Sequence, residues 1–222
     1  MKPSFVLVPY LSVARPRVSV TLRLADLSRL APNRRVMRAT VETLGVIMIV
    51  GVAQLALGVI DLAWVFALSA PVTVAPWTVV TSVYAHGSAT HLLANAVGLL
   101  IVGPLVERHT TRLRFHAFVV TTGAIAGVSQ VLVGGFLGPT PAVLGLSGAV
   151  FALGGYLLAG NVVSATLFDR LRLSDRAQFA LFGLVAVGLT VATAAPGVAL
   201  IAHATGAFCG LVAGRARLLD DT

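Results

Sequence analysis

Charged residues are scarce in this sequence. They make up 11% of its 222 residues, whereas hydrophobic residues make up 57%. A soluble domain usually carries about a quarter charged residues, so the composition excludes an ordinary soluble protein. Together with a mean hydropathy of +0.94, it indicates a single multi-pass membrane domain. Cysteine is almost absent too, and the one residue, Cys209, excludes a disulfide within the chain.

Acidic residues are also few, with 8 against 16 basic ones. The resulting pI near 11.2 would be compatible with nucleic-acid binding. The basic residues, however, fall into four groups that long uncharged runs separate, so we expect a lipid bilayer as the partner and no nucleic acid. The groups are Lys2, Arg15, Arg17, Arg23, Arg29, Arg34, Arg35 and Arg38; Arg108, Arg112 and Arg114; Arg170, Arg172 and Arg176; Arg215 and Arg217.

Uncharged runs of about 18 residues or more are long enough to span a bilayer. Such runs predict six membrane-spanning helices, near residues 43–60, 88–105, 115–134, 143–162, 177–195 and 197–214. The connection over roughly 61–87 is apolar as well, but Pro71 and Pro76 and the charge pattern argue against a further span. The predicted fold is therefore an all-α bundle of six transmembrane helices.

Six spans place all four basic groups on one side of the membrane. Because positive residues stay in the cytoplasm during insertion, both termini of this multi-pass cell-membrane protein are predicted to be cytoplasmic. Residues 1–40 form a basic tail, 41–217 the six-helix domain and 218–222 a short C-terminal tail. We reject a signal peptide because Pro9 interrupts the apolar run and no convincing cleavage site follows, and we expect the basic tail to lie on anionic lipid.

Strongly polar residues inside a predicted span are costly and need a reason. His91 and Asn95 lie in the second span, Ser147 in the fourth and His203 in the sixth. The depths of His91, Ser147 and His203 are roughly 5 to 9 Å below the outer start of each helix at 1.5 Å per residue. Each residue alone has an ordinary interpretation as packing, a proton path or interhelical hydrogen bonding. Their common depth favours one site.

Serine is a weak nucleophile that needs an adjacent base, and His203 is the candidate. Acyl transfer also needs donors for the developing oxyanion, which His91, Asn95 and the Ser147 backbone N–H would supply. The pattern predicts a Ser–His dyad, since no acid is well placed to orient His203. Phe151, one turn below Ser147, is expected either to pack against the imidazole or to be ordinary core.

Small residues on the fourth and sixth spans favour close helix contact. Gly206 and Gly210 form a Gly-x-x-x-Gly pair below His203, and Gly148 and Gly154 lie on the span of Ser147. Such glycines let helix backbones approach closely, as a serine–histidine contact requires.

These elements resemble the motifs of the rhomboid intramembrane serine proteases. The matching stretches are "GLSGAVFALGGY", "HGSATHLLAN", "HATGAFCG" and, ending the second span, "GPLVERH" with Glu107; they occur in the family's order, and the resemblance covers roughly 45–214. It implies that Ser147, in the Gly145–Gly148 motif, is the nucleophile and His203 the general base. It also implies an oxyanion hole of His91, Asn95 and Ser147.

The same resemblance implies a supporting role for His86 beside the oxyanion hole, with a loop-end histidine facing water as the open alternative. His109 and His116 match no motif. Trp77 matches a tryptophan of the family's first outer loop, but Thr78 stands where the family often has arginine, so the anchoring of this loop is open.

The expected function is hydrolysis of a peptide bond at the outer edge of the bilayer. The substrate would be a single-span membrane protein whose helix unwinds easily, with a small residue before the cut by family resemblance, and no cofactor or metal is expected.

Three alternatives are an inactive relative that binds or escorts membrane helices, a proton-coupled transporter and a zinc site. Internal repeats are lacking for a transporter, and His86 and His91 are poorly spaced for zinc. The sequence leaves open the substrate and the oligomeric state. It also leaves open whether the fifth span or the first outer loop is the gate for the substrate.

Overall fold

The computed structural model describes residues 37–59, 62–138, 142–194 and 198–220. Residues 1–36 of the predicted basic tail and the last two residues of the chain lie outside these ranges. The helices are α1 (Arg38–Gly58), α2 (Thr78–Tyr84), α3 (Ala89–Glu107), α4 (Arg112–Leu137), α5 (Ser147–Gly160), α6 (Val162–Arg170), α7 (Asp175–Ala192) and α8 (Leu200–Arg215). A short 3₁₀ turn, Ala63–Phe66, precedes α2.

A helix occupies each of the six predicted spans, and the all-helical class is confirmed. By length and composition, four helices could cross a membrane, namely α1, α3, α4 and α7. The other two, α5 with 14 residues and α8 with 16, are apolar but shorter. The count of six crossings therefore stays a prediction.

Large apolar side chains cover the outside of the bundle. Leu55, Phe136 and Leu184 are 76%, 91% and 71% exposed. An apolar surface of this extent is unfavourable in water and is the surface that a bilayer requires.

The first outer loop contains no long helix in its described part. Trp77 Nε1 donates a hydrogen bond to the Val65 carbonyl oxygen over 3.1 Å. Thr78 is 2% exposed, and its hydroxyl donates to the Ala75 carbonyl over 2.5 Å. The residue in the place of the family's arginine thus stabilises the loop from within.

Helices α5 and α8 pack backbone against backbone at the centre of the bundle. A Cβ atom at Gly206 would collide with the carbonyl oxygen of Gly148, and one at Gly210 with that of Ala152. The contact predicted from Gly148, Gly206 and Gly210 is therefore present.

The expectation for Gly154 is wrong, because a Cβ there would meet nothing within 4 Å. Its neighbour Gly155 lies in the interface instead, where a Cβ would be 2.5 Å from the Ala207 carbonyl oxygen. The reason is helical periodicity: Gly155 is seven residues, or about two turns, from Gly148, whereas Gly154 is about 240° around the helix.

Hydrogen bonds join the helices at two opposite ends of the bundle. The end where α1 begins and α3 ends we call the basic end. There Glu107, the last residue of α3, accepts hydrogen bonds from the backbone N–H groups of Ala39 and Thr40 in the first turn of α1, over 2.7 and 3.1 Å. At this end Arg215 Nε also donates to Gln178 Oε1 over 2.7 Å, joining α8 to α7. The N-termini of α3, α5 and α8 meet at the opposite end of the bundle, which we call the site end. These helices begin at Ala89, Ser147 and Leu200.

Candidate active site

Ser147 is the first residue of α5, so the predicted start of this span at residue 143 is wrong. Two backbone features stop the helix from beginning earlier. Val143 pairs with Leu68 of the first outer loop through two N–H···O bonds of 3.0 and 2.8 Å. Gly145 has φ +128°, a conformation that only glycine adopts readily, and its N–H donates to the Ser82 carbonyl over 2.9 Å.

The N-terminus of α5 differs from the other helix starts at the site. No side chain of the described residues caps it, whereas Ser88 caps α3 by accepting from the His91 N–H over 3.1 Å. Uncapped N–H groups in the first turn carry partial positive charge. The Ser147 hydroxyl therefore sits where a developing negative charge would be stabilised.

His203 is the fourth residue of α8 and its ring is fixed by Phe151. The two rings stack with centroids 4.3 Å apart and planes 23° apart. This is the first of the two interpretations given for Phe151. Because Phe151 and Ser147 are four residues apart on α5, they share one helix face, and the imidazole lies about one turn from the serine.

The start of α8 is held by a side chain from α4. Gln130 Oε1 accepts hydrogen bonds from the N–H groups of Ile201 and Ala202 over 3.0 and 3.2 Å. These amides have no partner within their own helix, so Gln130 completes the N-terminus directly before His203.

Ser147 and His203 are neighbours by packing but are not hydrogen-bonded to each other in the described part of the chain. A Cβ at Gly148 would lie 3.7 Å from the Ala202 carbonyl oxygen, so the residues next to the serine and the histidine touch. Catalytic hydrogen bonds are often long or unformed in unliganded sites.

His91 reaches this site from α3. A Cβ at Gly145 would lie 2.6 Å from Cε1 and 2.9 Å from Nε2 of the imidazole, so the ring rests directly on the glycine two residues before Ser147. Asn95 is buried at 4% exposure, and its Nδ2 donates one hydrogen to the His91 carbonyl over 2.9 Å. The second amide hydrogen is left for another acceptor.

His86 is 7% exposed, so the alternative of a histidine facing water is wrong. Its ring packs edge to face on His91 with centroids 5.2 Å apart, and its Nδ1 lies 3.2 Å from the Tyr84 carbonyl oxygen. Gln54 of α1 accepts from the His86 N–H over 2.9 Å. Burial, and secondarily the proximity of His91, lower the pKa of His86 to about 4, so its ring is neutral near pH 7.

A small cavity adjoins the serine. It has a volume of about 10 Å³ and is lined by Ser147, Gly145, Ser82 and Ala202 among others. This volume matches about one water molecule.

Two glutamines that support the site, Gln54 and Gln130, are not among the residues predicted from the sequence. Both lie inside predicted spans, where strongly polar residues call for an explanation. That rule would have marked them, but their partners, on a loop and on another helix, are 32 and 71 residues away in sequence.

The geometry defines a class: a multi-pass helical membrane protein with a serine and three histidines gathered at one end of the bundle. A model of the rhomboid domain matches residues 73–219. The chain is also 30% identical, over 142 residues, to the rhomboid protease GlpG of Haemophilus influenzae, and this alignment covers 62% of the chain and 68% of that protein. The chain belongs to the rhomboid family.

Proposed function

We propose that this protein is an intramembrane serine endopeptidase that cleaves transmembrane segments near the outer face of the bilayer. The observation that carries the proposal is the placement of Ser147 at the uncapped start of α5, one turn from the stacked Phe151–His203 pair. A hydroxyl, an imidazole and an N-terminal helix dipole at one point are the parts that serine acyl transfer needs.

In the proposed reaction, Ser147 Oγ attacks the scissile carbonyl while His203 takes its proton. The oxyanion receives hydrogen bonds from the Ser147 N–H and from the His91 and Asn95 side chains. His203 then returns the proton to the leaving amine, and water hydrolyses the acyl-enzyme. The cavity beside Ser147 has room for such a water molecule.

Six membrane crossings, with both termini and the basic end in the cytoplasm, fit this chemistry. At 1.5 Å per residue, α5 and α8 are only roughly 21 and 24 Å long, against a hydrocarbon core of about 30 Å. Their starts would then lie below the outer surface, and the site would need an outward opening for water. The basic tail would lie on the anionic inner leaflet.

The substrate would be a single-span membrane protein with a segment that unwinds readily, because a regular helix hides its carbonyl groups in hydrogen bonds. Only an unwound segment presents a carbonyl carbon to the serine. A small residue before the cut would suit the close approach of the two backbones.

The test is to reconstitute the purified protein in liposomes with a fluorescent single-span substrate. We expect cleavage by the wild type and by Ser164→Ala, a serine that bonds the Leu158 carbonyl on α5 away from the site. Ser147→Ala should abolish it while leaving thermal stability unchanged. Cleavage that survives Ser147→Ala would overturn the mechanism, and substrate binding without cleavage by the wild type would favour a helix-binding role.

A further inference from the structure

Thr193, at the C-terminal end of α7, reaches the imidazole of His203. Its Oγ1 lies 3.5 Å from Nδ1 of the ring. Nδ1 is the ring nitrogen other than Nε2, the proposed base. The distance of 3.5 Å is long for a hydrogen bond, but hydrogen bonds of catalytic residues are often long in unliganded sites.

The direction of this contact follows from the other bonds of the hydroxyl. Thr193 Oγ1 lies 3.0 Å from the Leu189 carbonyl oxygen and 3.2 Å from that of Thr190, and carbonyls can only accept. A hydroxyl has one hydrogen, which these carbonyls take. Towards His203 the oxygen then offers a lone pair, which favours the ring tautomer that carries its hydrogen on Nδ1.

We propose that Thr193 is a positioning residue that holds His203 in the tautomer protonated at Nδ1, so that the lone pair of Nε2 is free to serve as the base for Ser147. Phe151 fixes the plane of the ring, and Thr193 fixes which nitrogen bears the proton. In a Ser–His–Asp triad a carboxylate does this. Within the described residues no carboxylate pairs with His203.

This role rests on the proposed protease function, and the first test measures catalysis. Thr193→Val keeps the branched shape and removes the hydroxyl. We expect kcat to fall about two- to tenfold, the loss of one neutral hydrogen bond, with KM unchanged and with an equal slowing of Ser147 labelling by a fluorophosphonate. Thr193→Ser should restore both rates.

Thr190→Val is the matched control. The Thr190 hydroxyl bonds back to the Ala186 carbonyl over 2.8 Å on the same helix, and within the described residues no hydrogen bond joins it to His203. We expect it to leave kcat unchanged. Equal losses in Thr190→Val and Thr193→Val, or a Thr193→Ser variant as slow as Thr193→Val, would show a structural role of α7 only and overturn the proposal.

A second test does not depend on proteolysis. Nitrogen-15 NMR of ring-labelled histidine at pH 8 should assign His203 as the Nδ1–H tautomer in the wild type and in Thr193→Ser, and as a mixture in Thr193→Val. A wild-type ring protonated at Nε2 would refute the assignment to Thr193 even if the enzyme is active. Conversely, an Nδ1–H ring in a protein that cleaves nothing would count against the proposed function and not against this contact.

Discussion

The two ends of the bundle are built from different interactions. At the basic end, charged groups are paired: Glu42 lies 2.5 Å from Arg112, 3.0 Å from His116 and 3.4 Å from Arg38. At the site end the described contacts are neutral: the Phe151–His203 stack, backbone bridges and glycines against backbone.

The difference indicates that the hydrogen bonds that stabilise the fold and the residues of the candidate active site lie at opposite ends of the bundle. The basic end pairs its buried carboxylate at Glu107, which accepts three hydrogen bonds from Ala39 and Thr40, although the Thr110 hydroxyl nearby has no partner among the described residues. The site end leaves the start of α5 uncapped and the Nε2 atom of His86 without a partner. A buried polar group without a partner weakens a fold, whereas the free N–H groups of an uncapped helix start can bind a substrate. Substitutions at the two ends should therefore have different consequences.

The largest effect is expected at the contact that links both ends, between α5 and α8. Gly206→Ala would push a methyl group into the carbonyl of Gly148, where backbone cannot yield, and we expect a loss of about 3 kcal/mol of stability together with activity. Thermal unfolding and cleavage rate measure it. Gly154→Ala, on the same helix pair but facing open space, is the control and should be neutral. Equal behaviour of the two variants would refute the close packing.

The next effect is confined to the site end. Gly145→Ala adds backbone strain and forces the His91 ring away, so we expect kcat to fall about 100-fold or more, the scale of losing an oxyanion donor. Gly138→Ala is the control that adds backbone strain without a contact to a side chain. Gly138 also has a positive φ of 151°, but an added Cβ would have no atom within 4 Å. If Gly138→Ala slows cleavage as much, the contact with His91 has no catalytic importance.

The basic end should show the reverse pattern. Glu107→Ala removes the buried cap of α1 and should cost about 2 kcal/mol of stability, while kcat of the folded protein stays unchanged. Arg38→Ala breaks only an ion pair in which Arg38 is 70% exposed, and should cost less than about 0.5 kcal/mol. Denaturation in detergent and single-turnover cleavage report the two quantities. A fall in kcat for Glu107→Ala would contradict the separation of the ends.

The effect that is smallest at neutral pH is a pH dependence that arises from His86. Its pKa is lowered to about 4 in the folded protein and is near 6.5 when unfolded. Between these values the unfolded chain binds the extra proton, so stability is complete above about pH 6.5 and declines as the pH falls towards 4. Melting temperatures from pH 7.5 to 4.5 should decline less in His86→Gln than in the wild type. Parallel curves would mean that His86 does not contribute.

The helices and the close contact between α5 and α8 could be predicted because they depend on local patterns, whereas the catalytic roles of Ser147 and His203 stay predictions. Uncharged runs predict the helices, and the spacing of the glycines predicts an interface in which Gly206 packs on Gly148 and Gly210 packs on Ala152. The predicted start of α5 at residue 143 is wrong because Val143 is apolar but pairs with Leu68, far along the chain, and because Gly145 has a positive φ. Caps supplied by other helices, as Glu107 gives α1 and Gln130 gives α8, likewise depend on tertiary contacts that no local pattern reveals.

The most direct measurement of the central claim is mapping of a fluorophosphonate adduct by mass spectrometry. Such reagents modify a serine only where a neighbouring base activates it. The account predicts one adduct, on Ser147, in the wild type and in Glu107→Ala, and none in His203→Ala. An adduct on another serine, or labelling of Ser147 that persists without His203, would contradict it.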